Sequence, residues 1–174
     1  MKSVTTTIIN EATFSDDGRH RYALKKVWND KRPLALIVSK SAGSDDGVFE
    51  TLTLTIITNN LYKLGYGGFC LCNLFSSING KDSDKDNMQI IKELANSKDY
   101  PDIIICWGCL SASKESIQEQ AIKVVNILAN DKKKNIYSVS NGIATNCHPL
   151  SPSVRKSFDI VPFEFAPEEG VKAE

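Results

Sequence analysis

The sequence predicts an α/β domain of three layers, α/β/α, built on a central, mainly parallel sheet of four strands. Three observations predict it. Four short apolar runs rich in β-branched residues recur along the chain, and helical periods lie between them. The resulting order βαβαβαβ requires crossover connections, which set helices on both faces of a parallel sheet. At 174 residues the chain suffices for one domain with a real core and is short for two, so 1–174 is expected to be a single domain.

The elements follow in order. Residues 4–9 (VTTTII) and 21–28 (RYALKKVW) flank the turn SDDG and read as two strands or as a strand and a short helix, with an edge hairpin expected. The core strands are 34–39 (LALIVS), 68–73 (GFCLCN), 102–107 (DIIICW) and 135–140 (NIYSVS), each short enough for a strand buried on both faces. Leu54, Ile57, Leu61 and Leu64 repeat at helical spacing before Gly65 stops the helix. Met88, Ile91 and Ala95 give a second stripe; Ile117, Ala121, Val124, Val125 and Leu128 give a third, with the run SAS offering N-caps. The core is expected over about 12–163 and an acidic tail over about 164–174.

Hydrophobic residues make up 41% and charged residues 24%, which excludes disordered and fibrous classes. No apolar run is long enough for a membrane span and the first twenty residues lack a signal-peptide core, so a cytoplasmic protein with no membrane partner is expected. Five cysteines without a secretory signal argue against a disulfide framework. Cys106 and Cys109 make a CxxC and Cys70 and Cys72 a CxC, but the first three lie in apolar strands and no His pair completes a ligand set, so no metal is expected. Net charge is zero; Arg19, Arg21, Lys25, Lys26, Lys31 and Arg32 nevertheless cluster, either as a phosphate-facing patch or as a solvated face. Neither GxGxxG nor GxxxxGK[ST] is present, which speaks against dinucleotide or P-loop binding.

In open parallel sheets the ligand site lies outside the carboxyl ends of the strands. Those ends read Ser39-Lys40-Ser41, Asn73, Trp107-Gly108 and, after the last strand, Asn146-Cys147-His148. An amide, an imidazole and hydroxyls are therefore expected to converge. His148 sits in a loop framed by Pro149 and Pro152, the setting of a functional histidine rather than a core one.

The residues at these ends carry a resemblance. "GFCLCNLFSSING" looks like the strand of uracil-DNA glycosylases that ends in a base-reading asparagine, "IIICWGCLSASK" resembles their following strand and helix start, and "HPLSPS" is close to their histidine loop. "FSDDGRHRYALKKVW", "RPLALIVSKS", "GYGGFCLCNLF" and "WG" resemble the bacterial family called domain of unknown function 1643, over roughly residues 12–163. The resemblance implies a uracil-DNA glycosylase-like fold and a monofunctional DNA glycosylase. That enzyme would hydrolyse the bond between deoxyribose and a flipped-out base, with uracil as the expected base and no metal or organic cofactor.

It implies roles as well. Asn73 would read the base, donating to uracil O4 and accepting from N3–H. His148 would donate to uracil O2 as negative charge develops there. Phe49 resembles the aromatic on which the flipped ring stacks. Leu150 would wedge into the gap in the stack, Ser151 and Ser153 would bond phosphates, and Arg155 and Lys156 would neutralise them. Ser39 stands where glycosylases usually carry the Asp or Asn that orients water, and Ser41 where a tyrosine often excludes thymine; Asp45 or Asp46 is a substitute carboxylate. Implied partners are uracil-containing DNA, single- or double-stranded, and a protein inhibitor that mimics DNA, with the chain a monomer. Two readings stay open beside this one: a glycosylase-like module that grips nucleic acid without chemistry, and an enzyme of free nucleosides or nucleotides.

Overall fold

The computed structural model describes residues 1–164 apart from 79, 81, 112, 131 and 132. Most of the acidic tail, from residue 165 onward, lies outside the described residues. The strands are β1 (Ile9–Phe14), β2 (Arg21–Val27), β3 (Leu34–Ser41), β4 (Gly68–Phe75), β5 (Asp102–Ile105), β6 (Asn135–Ser140) and β7 (Asp159–Pro162). The helices are α1 (Leu52–Lys63), α2 (Lys85–Asn96), α3 (Glu115–Ala129) and α4 (Pro152–Lys156).

One mixed sheet of seven strands, in the order β1-β2-β4-β3-β5-β6-β7, replaces the four-stranded sheet expected from sequence. The pairs β3/β4, β3/β5 and β5/β6 are parallel. The pairs β1/β2, β2/β4 and β6/β7 are antiparallel. Of the three additional strands β1 is exposed and β7 is short, whereas β2 is seven residues long and buried. β7 is four residues ending in Pro162, which cannot donate to a further ladder and so suits a sheet edge. The N-terminal hairpin is present, but its first strand is Ile9–Phe14 rather than 4–9, and β2 pairs onward with β4.

Alternation along the central strands builds a core on each face. Leu36, Val38, Cys70, Cys72, Ile103 and Ile105 face α2 and α3. Ala35, Ile37, Phe69, Leu71, Ile104 and Cys106 face α1 and Val154 of α4. All eight residues of β4 are buried, as a strand covered on both sides requires. Burying each such Leu or Ile contributes roughly 1.5–3 kcal/mol relative to exposure. Cys70 and Cys72 of β4 and Cys106, just beyond β5, are free thiols, and burial pushes Cys70 up to about 11 and Cys106 up to about 12.

Caps fix the helix starts. Thr51 caps α1 by accepting from the Leu54 amide, and Asp84 caps α2 by accepting from the Asn87 amide. The run SAS does not cap α3: Lys114 holds that position without a side-chain bond. The Gln118 amide instead reaches back to the carbonyls of Leu110, Ser111 and Ser113. No helix among the described residues is long and apolar enough to cross a membrane.

Candidate functional site

The chain leaves β3 for β4 on one side and crosses to β5 on the other, so a crevice opens outside the carboxyl ends of these strands. A cavity of about 430 Å³ lies there, within the range of roughly 300–1,000 Å³ typical of small-ligand sites. Ser39, Lys40 and Ser41 at the end of β3, Asn73 of β4, and His148 and Leu150 after β6 all line it, together with Thr51, Leu52, Thr53 and Leu54 at the start of α1. Two further lining residues, Arg21 and Asp45, complete its charged wall.

Arg21 opens β2, and the antiparallel pairing of β2 with β4 carries it beside Asn73. It is 1% exposed. Its Nη1 donates to the Asp45 carbonyl at 3.0 Å and to Asp45 Oδ2 at 3.2 Å, and its Nη2 donates to Asn73 Oδ1 at 3.2 Å. Its Nε is buried without a partner. Burial pushes the Arg21 guanidinium down from its usual value, and the bond and charge of Asp45 oppose that shift. Asp45 is engaged at its second oxygen too, where Oδ1 accepts from the Thr51 amide at 2.5 Å.

Asn73 lies in the cavity floor, wholly shielded from solvent. Its Oδ1 accepts from Arg21 and its Nδ2 donates to the Ser41 carbonyl at 2.9 Å. A flipped amide would set NH2 against guanidinium and oxygen against oxygen, so the orientation is determined by chemistry. One N–H and one lone pair remain uncommitted. Asn87 of α2 braces the same position, donating to the Asn73 backbone carbonyl at 3.0 Å.

His148 is half-buried and held from two sides. Its Nδ1 accepts from the Leu150 amide at 3.1 Å, which places the proton of the neutral ring on Nε2. Burial lowers its pKa from the usual 6.5, and the charge of Lys40 lowers it further. Gly108, at φ +84°, packs against it: a Cβ there would lie 3.2 Å from His148 Cβ. The dipeptide WG thus shapes the back of the histidine loop rather than the cavity wall.

The other sequence-selected residues divide. Ser39 is buried and pairs in register with Asn73. Leu150 is 40% exposed at the rim. Phe49 is 57% exposed and does not line the cavity; its amide and that of Val48 donate to Asp46 Oδ1. Asp46 is accordingly consumed by its own turn, and these amides, Phe49 first, lower its pKa. Ser151 and Ser153 sit at the start of α4 and Arg155 and Lys156 in its exposed last turn, while Ser153 Oγ accepts from Asn141 at 2.9 Å. The basic cluster is not one face. Arg21 is buried with Asp45, and buried Lys26 pairs with the half-buried Glu50, whereas Arg19 and Lys25 make solvent-facing pairs with Asp17 and Glu11. Sequence reasoning missed Arg21 as a site residue; its signal was a cation opening an otherwise apolar strand start, RYAL.

A different cavity, about 390 Å³, is lined by Asp16, Asp17, Asp84, Asp86, His20 and Tyr22 among others. Among the described residues no group of three or more His, Cys, Asp or Glu side chains is arranged to hold a metal ion.

Fold and cavity together define an α/β protein with a cavity at the carboxyl ends of its parallel strands. Over residues 21–150 the chain matches the family described as Protein of unknown function (DUF1643), and it belongs to that family. The matched segment runs from Arg21 to Leu150, the first and last of the cavity-lining residues. No curated protein and no solved structure matches the chain.

Proposed function

We propose that the protein is a DNA glycosylase of uracil-DNA glycosylase-like fold that releases a flipped-out base, uracil in the first instance. The observation that carries the reading is that Asn73, near the end of β4, and His148, in the loop between β6 and α4, line one cavity of about 430 Å³. The uncommitted N–H and lone pair of Asn73 match uracil O4 and N3–H, and Arg21 and Ser41 prevent the amide from turning to suit cytosine. The Nε2–H of a neutral His148 is a donor for uracil O2. One such bond to a developing anion is worth about 3 kcal/mol of barrier. Leu150 at the rim is the wedge, and Arg155 and Lys156 on α4 meet the phosphates. Ser39, in register with Asn73, is the candidate to orient the attacking group.

The test is base release. Single- and double-stranded oligonucleotides containing uracil are incubated with the protein and the product is cleaved with alkali. An alkali-labile product that disappears with His148→Ala or Asn73→Ala is expected. Tight binding of uracil DNA without an abasic product overturns catalysis and favours the binding-module reading, which one observation supports: both oxygens of Asp45 are already engaged.

A further inference from the structure

We propose that Lys40 is an amine nucleophile, giving the protein a second activity: cleavage of the strand at abasic sites through a Schiff base. The inference rests on the glycosylase reading in that it places C1′ of the flipped nucleotide in the cavity.

Elimination among the lining groups leads to it. Hydrolysis by water calls for a free base, and the one carboxylate of the cavity wall, Asp45, is held at Oδ2 by Arg21 and at Oδ1 by the Thr51 amide. His148 offers no basic nitrogen in its neutral form, because Nδ1 accepts from Leu150 and Nε2 carries the proton. The hydroxyls of Ser39, Ser41, Thr51 and Thr53 have no base to activate them. What remains is the Lys40 amine, on the strand end between Ser39 and Ser41 and close enough to His148 for its charge to act on the ring. Among the described residues no carboxylate lies within ion-pairing distance of Lys40. A lysine amine on a cavity wall, free of an ion pair, is of the class that attacks electrophilic carbon to form a Schiff base.

The steps balance without an oxidant or a metal. Lys40 first gives its ammonium proton to water, and the freed amine attacks C1′ as the C1′–N1 bond breaks, the electron pair of that bond leaving with the base. The amine then loses a proton, the ring oxygen gains one, and the C1′–O4′ bond opens to leave a C1′=Nζ iminium. Loss of a C2′ proton to water expels the 3′ phosphate with the C3′–O electron pair. Water hydrolyses the iminium and returns Lys40.

The test uses an oligonucleotide with a preformed abasic site, which bypasses base release, incubated with the full chain and cyanoborohydride. Hydride reduction of the iminium is expected to yield a covalent complex whose adduct maps by peptide mass spectrometry to Lys40. Without reductant the strand is expected to break with no alkali added. Lys40→Gln should reduce both to background, and so should Lys40→Arg, which keeps the charge but cannot form the imine. A uracil oligonucleotide is run in parallel. Uracil release with no trapping or cleavage of abasic DNA overturns the role of Lys40 and leaves the glycosylase reading standing. Trapping at Lys40 without uracil release supports Lys40 and overturns the choice of base. Adducts scattered over other lysines, or Lys40→Arg matching wild type, overturn the proposal.

Discussion

Arg21 Nη2 donates to Asn73 Oδ1 at 3.2 Å, and through that bond a strand outside the parallel core sets the orientation of the amide in the cavity floor. The same guanidinium is the partner of Asp45, 3.2 Å away and equally buried. Removing one member of a buried pair strands the other charge, at a cost of about 3–5 kcal/mol. Arg21→Met is therefore expected to destabilise the protein by that amount in urea titrations, and Arg21→Met with Asp45→Leu by less than Arg21→Met alone. A double variant as unstable as the sum of the two singles contradicts this coupling.

Gly108→Ala tests the support behind His148. A residue with a Cβ at φ +84° is strained by about 1–2 kcal/mol, and that Cβ would press on His148 Cβ at 3.2 Å. A modest loss in thermal stability is expected, with a larger loss of uracil release than at a control glycine. Gly142, at φ +85° with open space within 4 Å of where a Cβ would stand, is that control, because Gly142→Ala carries the strain without the contact.

The histidine also fixes a pH dependence. Its folded-state pKa lies below 6.5, so in the window beneath that value the unfolded chain binds the proton that the folded chain refuses. Stability from this group is complete above 6.5 and declines as pH falls toward the folded value. Urea midpoints measured from pH 7.5 down to 5.5 are expected to fall less steeply in His148→Asn than in wild type. Parallel slopes would show that the imidazole is not shielded.

Arg155 and Lys156 occupy the exposed last turn of α4. If each neutralises one phosphate, Arg155→Ala and Lys156→Ala each lower the slope of log K against log salt by about 1 and weaken binding to all sequences alike. Fluorescence anisotropy across a salt series checks this; unchanged slopes remove α4 from the interface.

The parts of the fold that were legible were those with burial on two sides. LALIVS, GFCLCN and the first four residues of DIIICW became central strands because a doubly covered strand leaves an unbroken apolar run, whereas NIYSVS, with two serines and burial only in its second half, was legible by its β-rich ending. β1 and β7 were misplaced or missed because edge strands need bury little: β1 has five exposed residues out of six. Asn73 and His148 were legible as cavity-lining residues because the ends of parallel strands, and the loops that follow them, converge on the crevice. Arg21 was harder: it stood among five other cations, and its one signal, a cation opening the apolar start RYAL, does not say that the guanidinium is buried, which the tertiary pairing of β2 with β4 decides.

That pairing also closes the site. Leu24 meets Leu71 across a long stretch of intervening chain, so the N-terminal ribbon joins the sheet through tertiary contact alone. Wherever the ribbon is undocked, Asp45 and Asn73 Oδ1 lose their guanidinium partner, and the cavity floor is complete only while the ribbon lies on β4.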